Sequence, residues 1–349
     1  MTDKKNPAIS VIIAMYNSEE YITDCLDSLI IQTFQDFEVI IADDCSTDNS
    51  YKVAQGFISK FGDRLKLIKL PRNSGFPGIP RNFAFKKARG KYIYFLDSDD
   101  LLEKTTFEKL YETAEEFNAD VVHAETSIAF RENGNNLEWS YLKFQTVTPV
   151  EKPTIETFDV GERLDGLITK KFLWWACNKL FNRKFLRDND IVFAKTKQFE
   201  DFLFIMQCLV FAKNYVRVPY VGYYYRVREG SLSHGGLSEY APFQNLVLIM
   251  KAIDDFMNRT KFFIDNPRYK YSIIDFFMKG RMDSFEESFI AEDYNLGEVY
   301  NSFRALFSRT PQENLSLTTY LFIAANLFNI RIKQQAKEIE ELKSIINNK

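Results

Sequence analysis

Two aspartates one residue apart, Asp97 and Asp99, follow an apolar segment of strand character at residues 92–96. Unpaired charge is costly away from water, so carboxylates at the end of a buried strand should meet a cation or hydrogen-bond donors. Mg²⁺ and Mn²⁺ prefer oxygen ligands and commonly link protein carboxylates to substrate phosphates. The pair therefore indicates a phosphorylated ligand, although the same residues also suit a solvated turn that caps a helix beginning near Glu103.

The first 125 residues alternate apolar strand-like segments with amphipathic helical ones. The predicted strands are residues 9–14, 37–42, 65–70, 92–96 and 121–124. The predicted helices are residues 18–32, 50–61, 79–88 and 103–117. This alternation predicts βαβ units in an α/β fold, with a mainly parallel sheet flanked by helices.

Ligands of such sheets bind outside the carboxyl ends of the strands, near the point where the strand order reverses. Polar side chains follow each of the first three strands as well: Tyr16 and Asn17, then Asp43 and Asp44, then Asn73. No Gly-x-Gly-x-x-Gly follows the first strand, and the sequence has no Walker-type Gly-Lys-Ser/Thr. Dinucleotide binding and P-loop hydrolysis therefore lose support, and a nucleotide held by side chains from several strand ends remains.

The composition limits the class of protein. A chain of 349 residues with 46% hydrophobic residues can bury a large core, and its net charge of −3 provides no basic field for nucleic acid. Four scattered cysteines without a CxxC indicate reduced thiols, not a disulfide framework or a zinc site.

The polar N-terminus lacks the apolar region of a signal peptide, and the longest apolar stretch, 315–330, is interrupted by Asn326 and is short for a bilayer. We expect a cytoplasmic protein that contacts a membrane only at its periphery, at the inner face.

The second half of the chain is less regular. Residues 126–170 have a weaker pattern and are interpreted as an excursion or flap, whereas Glu200 and Asp201 open an amphipathic helix that runs to about residue 212. Residues 236–330 show helical spacing. Residues 331–349 carry apolar residues on an a/d pattern over about two heptads, which suits either a self-association helix or an ordinary terminal helix.

Five segments resemble the GT-A-fold glycosyltransferases of family 2, which move a sugar from a nucleotide-sugar donor to an acceptor. The segments are residues 9–17, 41–48, 73–75 with 81–82, 90–100 and 199–201. They lie in the family's order and spacing over about residues 8–235. The resemblance implies a Rossmann-like GT-A domain at 1–235, a helical region at 236–330 for the acceptor or for oligomer contacts, and a terminal helix at 331–349.

The resemblance places five residues around the base and diphosphate of a UDP-sugar. Asp44 would accept a hydrogen bond from uracil, in a pocket lined by Ala14 and Tyr16, and Asn73 and Arg81 would contact the base and the diphosphate. The family usually has proline where this chain has Ala14, which should alter the rigidity of the strand end more than its chemistry.

The same resemblance assigns the acids. Asp97 would contact the nucleoside, Asp99 would bind Mn²⁺ or Mg²⁺ directly, and the Glu200-Asp201 pair would supply the catalytic base, which we assign to Asp201. In an inverting transfer one carboxylate takes the proton of the acceptor hydroxyl while a cation stabilises the departing diphosphate. Without the resemblance, Asp201 would equally suit a helix N-cap.

Two further segments resemble parts of the family site. After the helix, Arg226, Arg228 and Ser231 would bind phosphate, and His234 would either complete the metal site or lie exposed. Residues 174–181 contain Trp174 and Trp175, which would stack on the acceptor sugar or pack a domain seam, with Asn178 and Lys179 bonding hydroxyls or holding the loop. We expect His123 to be structural.

The leading hypothesis is an inverting, metal-dependent transferase that adds a sugar to a bacterial surface polysaccharide or glycoconjugate. A nucleotidyltransferase is the alternative enzyme, but it predicts a Gly-rich basic loop after the first strand, where the sequence is Tyr-Asn-Ser-Glu. A glycan-binding protein that lost its chemistry is the non-enzymatic alternative, and the intact Asp99 and Asp201 argue against it. The sugar, the acceptor and the linkage leave no mark in the sequence.

Overall fold

The structure is a computed structural model that describes residues 6–133, 136–228, 242–277, 332 and 335–344. The chain divides into two compact units, Met1–His234 and Gly235–Lys349. Predicted positions Ser231 and His234 lie outside the described residues.

Four parallel strands in the order β3-β2-β1-β4 form the first half of the sheet. They are β1 (Ile9–Met15), β2 (Phe37–Asp43), β3 (Leu65–Lys69) and β4 (Tyr92–Asp97). Nearly every residue of β1, β2 and β4 is buried, as expected for apolar strands covered by helices on both faces. The sequence therefore predicted these four strands to within one residue at each end.

The helices between these strands are shorter than predicted. They are α1 (Ile22–Ile30), α2 (Ser50–Gly56), α3 (Ile58–Phe61), a 3₁₀ turn (Gly62–Arg64) and α4 (Gly78–Phe85). The predicted helix 50–61 is broken at Phe57, which caps both α2 and α3.

The second half of the sheet is mixed, with one further parallel pair among antiparallel ones. Its strands are β5 (Leu101–Leu102), β6 (Val121–Asn133), β7 (Asn136–Gln145), β8 (Thr154–Ile155), β9 (Lys179–Asn182) and β10 (Tyr215–Arg226). β9 runs antiparallel to β4 on one side and to β6 on the other, and β10 runs parallel to β6. Residues 126–145, predicted to be an excursion, instead lengthen β6 and return beside it as β7.

Four helices accompany this half: α5 (Thr106–Glu116), α6 (Val160–Ile168), α7 (Arg183–Asp188) and α8 (Glu200–Phe211). Helix α8 begins at the predicted residue and is apolar on almost every side, which is typical of a buried helix. Phe204 of α8 stacks on Phe193 at 4.1 Å and meets Phe95 of β4 edge-on at 5.6 Å. This packing holds the start of α8 and the end of β4 in a fixed relation.

The described part of the second unit is helical. It contains α9 (Pro242–Arg259), α10 (Lys261–Asp265) and helical residues at 268–277 and 335–344. Ile332, Ile339 and Leu342 of the predicted a/d pattern are exposed. Within the described residues, no helix combines the length and the apolar character that a membrane crossing would need.

Candidate active site

The strand order reverses at β1, which lies between β2 and β4. In the strand register Ala14 is opposite both Ala42 and Asp97, so the ends of these three strands share one edge. The structure thus brings Ala14 and Asp97 together, as predicted for a crevice at the carboxyl edge of the sheet. Tyr16 follows β1 with its side chain 46% exposed.

Asp44 and the turn at residues 73–75 form one end of this edge. The Asp44 amide donates to Met15 O at 2.8 Å, which ties β2 to β1. Its buried carboxylate accepts from the Ser74 amide at 3.0 Å and from Ser74 Oγ at 2.8 Å. Burial raises the pKa of Asp44, and the two Ser74 donors oppose that rise. Asn73 Oδ1 accepts from the Gly75 amide at 2.6 Å and shapes the turn.

A single guanidinium joins three carboxylates in what we call the Arg81 cluster: Arg81, Asp97, Glu200 and Asp201. The Arg81 side chain, buried in α4, donates from Nη2 to Asp97 Oδ1 at 2.6 Å. Its Nη1 donates to Glu200 Oε1 at 2.8 Å and to Asp201 Oδ1 at 3.1 Å. The cluster joins the end of β4 to the start of α8, so Asp97, Glu200 and Asp201 lie around one guanidinium. Its guanidinium is occupied by protein carboxylates, so its predicted contact with a diphosphate stays a prediction.

The two acids at the start of α8 titrate as a pair. Burial, together with the Asp201 charge, raises the pKa of Glu200 to about 8, and Arg81 opposes the rise. Burial also raises the pKa of Asp201, again against Arg81. A carboxyl group with a pKa of about 8 is largely protonated at neutral pH, so Asp201 is the better candidate for the ionised member.

The residue before this pair has an unusual backbone. Phe199 has φ +66°, in the left-handed region that bulky side chains seldom adopt. Strain of this kind is commonly found where a chain must present functional groups. Here it lies immediately before the two acids that reach Arg81.

Asp99 and Asp100 are held by the end of β10. Arg228 Nε donates to Asp99 Oδ2 at 2.7 Å, while Arg226 Nε donates to the Asp99 carbonyl at 2.8 Å. Asp100 is fully buried and accepts from the Arg226 amide and from the Tyr223 hydroxyl. Burial, assisted by the Asp97 charge, raises the pKa of Asp99, and the Arg228 guanidinium opposes that rise.

The two arginines predicted to bind phosphate differ in exposure. The Arg226 side chain is 2% exposed, and Nη2 donates to Asp24 Oδ2 at 2.8 Å. The Arg228 side chain is 27% exposed, and its guanidinium lies over the Tyr21 ring. Arg228 is therefore placed to reach a ligand with little movement, whereas Arg226 holds Asp24 and the Asp99 main chain.

The described part of the chain contains no group of three or more His, Cys, Asp or Glu side chains able to hold a metal ion. A Mg²⁺ or Mn²⁺ ion in a nucleotide site needs only one or two carboxylates, because substrate phosphates and water supply the other oxygens. The Asp99 carboxylate, 19% exposed, offers oxygen ligands of that kind.

Residues 173–178 also contact the Arg81 cluster, through hydrogen bonds to Asp97 and Asp201. The Ala176 amide donates to Asp201 Oδ2 at 3.2 Å, and Cys177 Sγ donates to Asp97 Oδ2 at 3.2 Å. Trp174 and Trp175 are half-buried and meet each other edge-on at 6.4 Å. The sequence analysis assigned this segment to the acceptor side or to a domain seam, and no signal in the sequence indicated the Cys177 or Asp24 contacts.

His123 is fully buried and structural, as expected. Its ring lies edge-on to Tyr215, and burial, together with Lys179 and Arg217, holds the pKa of His123 well below its usual value. The site therefore combines the buried acid pair Glu200 and Asp201 with a partly exposed carboxylate, Asp99, beside an arginine. Such a site can accept a proton and bind a cation or a phosphate at the same edge.

Comparison with known proteins agrees with this geometry. The profile of glycosyl transferase family 2 matches residues 10–187, just over half of the chain. The chain is 34% identical over 225 residues to poly(ribitol-phosphate) beta-N-acetylglucosaminyltransferase TarS of Staphylococcus aureus, covering 63% of this chain and 36% of TarS. It is 30% identical over 233 residues to the putative glycosyltransferase EpsH of Bacillus subtilis, covering 65% and 63% of the two chains.

Solved structures of TarS share the fold. A crystal structure of TarS residues 1–349 in complex with UDP matches with a TM-score of 0.64 at 25% identity, covering 95% of this chain and 91% of that one. The complex with UDP-GlcNAc matches with a TM-score of 0.64 at 27% identity over 84% and 78% of the chains. The chain spans about a third of the full length of TarS. The expected GT-A-type α/β fold is confirmed, and the chain belongs to glycosyl transferase family 2.

Proposed function

We propose that the chain transfers a sugar from a UDP-sugar to a hydroxyl group of a cell-envelope glycopolymer, with inversion at the anomeric carbon. The observation that carries the proposal is the Arg81 cluster, which joins the end of the donor-side strand β4 to the acid pair of α8. The crystal structures of TarS with UDP and with UDP-GlcNAc support a uridine nucleotide as donor.

The nucleoside lies at the edge formed by Asp44, Ala14 and Tyr16. A uracil N–H is a hydrogen-bond donor, and the Asp44 carboxylate is an acceptor whose orientation is fixed by Ser74. Tyr16 offers a half-exposed ring beside it, and Asn73 closes the same end. These contacts would recognise the base, leaving the diphosphate to point toward β4.

Asp201 is the base in this proposal. The acceptor hydroxyl attacks the anomeric carbon from the face opposite the UDP, its proton passes to an Asp201 carboxylate oxygen, and the bond from carbon to the diphosphate oxygen breaks. Arg81 and the Ala176 amide each hold one Asp201 oxygen, which fixes the direction of the carboxylate. Glu200, with a pKa of about 8, retains its proton at neutral pH and so adds little repulsion to the ionised Asp201.

Asp99 is the residue that would hold Mn²⁺ or Mg²⁺. A divalent cation bound there supplies charge neutralisation for the diphosphate as it departs. Arg228, partly exposed and in contact with Asp99, is the arginine that would bind the phosphates. The assignment of Arg226 to phosphate is weaker in this proposal, because its side chain is buried against Asp24.

The acceptor class is proposed from the relatives. Two of them are named for transfer of N-acetylglucosamine or glucose to poly(ribitol-phosphate). An anionic cell-envelope polymer is therefore the first acceptor to test, with GlcNAc and glucose as the first sugars. A place at the inner face of the membrane and self-association through residues 331–349 remain predictions, and neither alternative function is favoured by an observation.

The proposal is tested by two variants with one control. Asp201→Asn should leave the affinity for UDP within about twofold of the wild type, because that side chain does not contact the donor, and should lower kcat by about 10²–10⁴-fold. Asp99→Asn should instead abolish the dependence of UDP binding on Mn²⁺. Asp188→Asn, an exposed carboxylate paired with Lys184, is the matched control.

Binding of UDP by calorimetry, with and without Mn²⁺, and turnover of UDP-GlcNAc and UDP-glucose separate the two roles. If Asp201→Asn loses donor affinity while Asp99→Asn keeps Mn²⁺-dependent binding, the assignment of roles is wrong. If the wild type neither hydrolyses nor transfers any UDP-sugar in the presence of Mn²⁺, the proposed reaction is wrong.

A further inference from the structure

Lys179, the first residue of β9, carries a fully buried ammonium group that the proposed reaction does not use. Its Nζ donates to Trp175 O at 2.6 Å, to Leu173 O at 2.7 Å and to Asn178 Oδ1 at 2.7 Å. An ammonium has three N–H donors, and each has an acceptor here. All three acceptors are neutral, so the charge does not serve to neutralise a carboxylate that it contacts.

Asn178 anchors this arrangement to the sheet. Its side-chain Nδ2 donates to Ala124 O at 2.9 Å, and its main-chain carbonyl accepts from the Ala124 amide at 3.0 Å. Ala124 belongs to β6, which is buried at this point. Lys179 thus connects the main chain at 173–175, which has no regular secondary structure, to a rigid part of the fold.

The segment held in this way touches the catalytic acids. The Ala176 amide, one residue beyond the Trp175 carbonyl, donates to Asp201 Oδ2. The Trp174 ring meets Phe199 at 6.4 Å and Phe202 at 6.5 Å, on either side of the acid pair in the chain. A shift of residues 173–176 would therefore move a hydrogen-bond donor of the base and the aromatic rings beside it.

The chemistry of the side chain explains why a lysine is found here. Burying an ammonium is costly, and burial lowers the pKa of Lys179 to about 7. A neutral amine has only two N–H donors and would leave one of the three acceptors facing a lone pair. A methionine of similar length would leave two buried main-chain carbonyls without this donor, which is unfavourable.

We propose that Lys179 is a positioning residue for the transfer reaction, fixing the main chain at 173–176 so that Ala176 orients the base and the two tryptophans stand beside it. The inference rests on the role proposed for Asp201. It assigns to Lys179 the holding of the loop, not a contact with acceptor hydroxyls.

The experiment compares Lys179→Met with Lys66→Met in the full chain carrying Trp139→Phe. Lys66 in β3 donates to Glu38 Oε2 at 2.8 Å, so it controls for loss of a partly buried lysine of the same sheet. The chain has three tryptophans, so the background variant leaves Trp174 and Trp175 as the only indole fluorophores. Acrylamide quenching then reports on the loop itself.

For Lys179→Met we expect stronger acrylamide quenching and a red-shifted tryptophan emission. We also expect kcat to fall by about tenfold or more, since a displacement of about 1 Å at a reacting group can lower the rate by about 10²-fold. The Kd for UDP should stay within about twofold of the wild type. Lys66→Met should change neither kcat nor quenching. Unchanged kcat and quenching in a folded Lys179→Met, or a loss of UDP affinity in proportion to kcat, would overturn the proposal.

A second variant covers the case in which Lys179→Met does not fold. Asn178→Ala keeps the lysine but removes one of its three acceptors and the side-chain hydrogen bond to Ala124 O. It should show the same pattern with a smaller change in kcat, and normal kcat and quenching in this variant would also overturn the inference. Asp201→Asn should leave the quenching unchanged. If Lys179→Met alters the loop while Asp201→Asn retains turnover, the assignment of the base has failed but the anchoring of the loop stands.

Discussion

Replacement of Arg81 by methionine is the most demanding test of the site. Arg81→Met keeps the aliphatic stem and removes the cation that holds Asp97, Glu200 and Asp201. Removing one partner from a buried ion pair costs about 3–5 kcal/mol, because the other charge is left uncompensated. The Asp97 side chain is 35% exposed and water will offset part of its loss, and Glu200 is protonated at neutral pH, so most of the cost comes from Asp201.

This cost predicts a large change in thermal stability. For a unit of this size each kcal/mol lowers Tm by about 2–4 °C, so Arg81→Met should lower Tm by about 6–20 °C. Part of that loss will be avoided by protonation: Arg81 opposes the rise in the pKa of Glu200 and of Asp201, and without it both acids hold protons more tightly. A protonated Asp201 cannot accept the hydroxyl proton, so kcat should fall by about 10²–10⁴-fold.

The matched control is Arg217→Met. Arg217 is buried as deeply and pairs with Glu125 and Glu156, away from the Arg81 cluster in its hydrogen bonds. It should lower Tm by a similar amount but leave kcat per folded molecule within about twofold of the wild type. Tm by calorimetry and turnover of the folded fraction are the measurements. If Arg81→Met keeps wild-type kcat, or if both variants lose kcat equally, the cluster does not organise the reaction.

Three further predictions concern single side chains. Burial raises the pKa of Glu200 from its usual 4.5 to about 8, so the wild-type protein loses stability as the pH rises from about 4.5 to about 8 and Glu200 loses its proton. Glu200→Gln should therefore match the wild-type Tm near pH 5 and exceed it at pH 9. A difference in Tm that does not grow with pH would contradict this. Asp44→Asn should weaken UDP binding by about 10–100-fold in calorimetry, since hydrogen bonds to charged groups contribute about 1.5–3 kcal/mol. An unchanged Kd for UDP would show that Asp44 does not contact the uracil base. Trp175→Ala should raise the acceptor KM by about tenfold with an unchanged Kd for UDP, as expected for a ring that stacks on a sugar. A lower Tm with an unchanged acceptor KM would instead show that Trp175 serves to pack the fold.

The parts of the fold that could be predicted from the sequence are those that depend on the pattern of apolar residues within a single segment. Continuous apolar runs predicted β1, β2 and β4, because such runs are typical of strands buried on both faces. The polar residues after those runs then had to share one edge, which located Asp44 and Asp97 correctly. Residues 126–133 were missed as strand because their partners, β7 and β10, depend on pairing across the sheet and not on a pattern within the segment.

The partners of the site residues were harder to predict for the same reason. Arg81 was identified, but its three carboxylates lie 16, 119 and 120 residues away in the chain, and no local signal shows which of them it meets. Lys179 stands beside tryptophans in the sequence, where a contact with sugar hydroxyls is as reasonable as one with loop carbonyls. Only the strand register of β9 against β6 places its ammonium under the loop.

The order of the acids along the chain also bears on synthesis at the ribosome. Every strand of the parallel half is complete by residue 97, so a nascent chain could order the nucleotide edge while the catalytic helix is still untranslated. During that interval Arg81 has Asp97 available but neither Glu200 nor Asp201, so its Nη1 group must be solvated by water. The growing polypeptide thus acquires the edge proposed for the nucleoside well before the acid pair of α8 and before Arg228. A product that ends before residue 200 would lack the base proposed for the transfer.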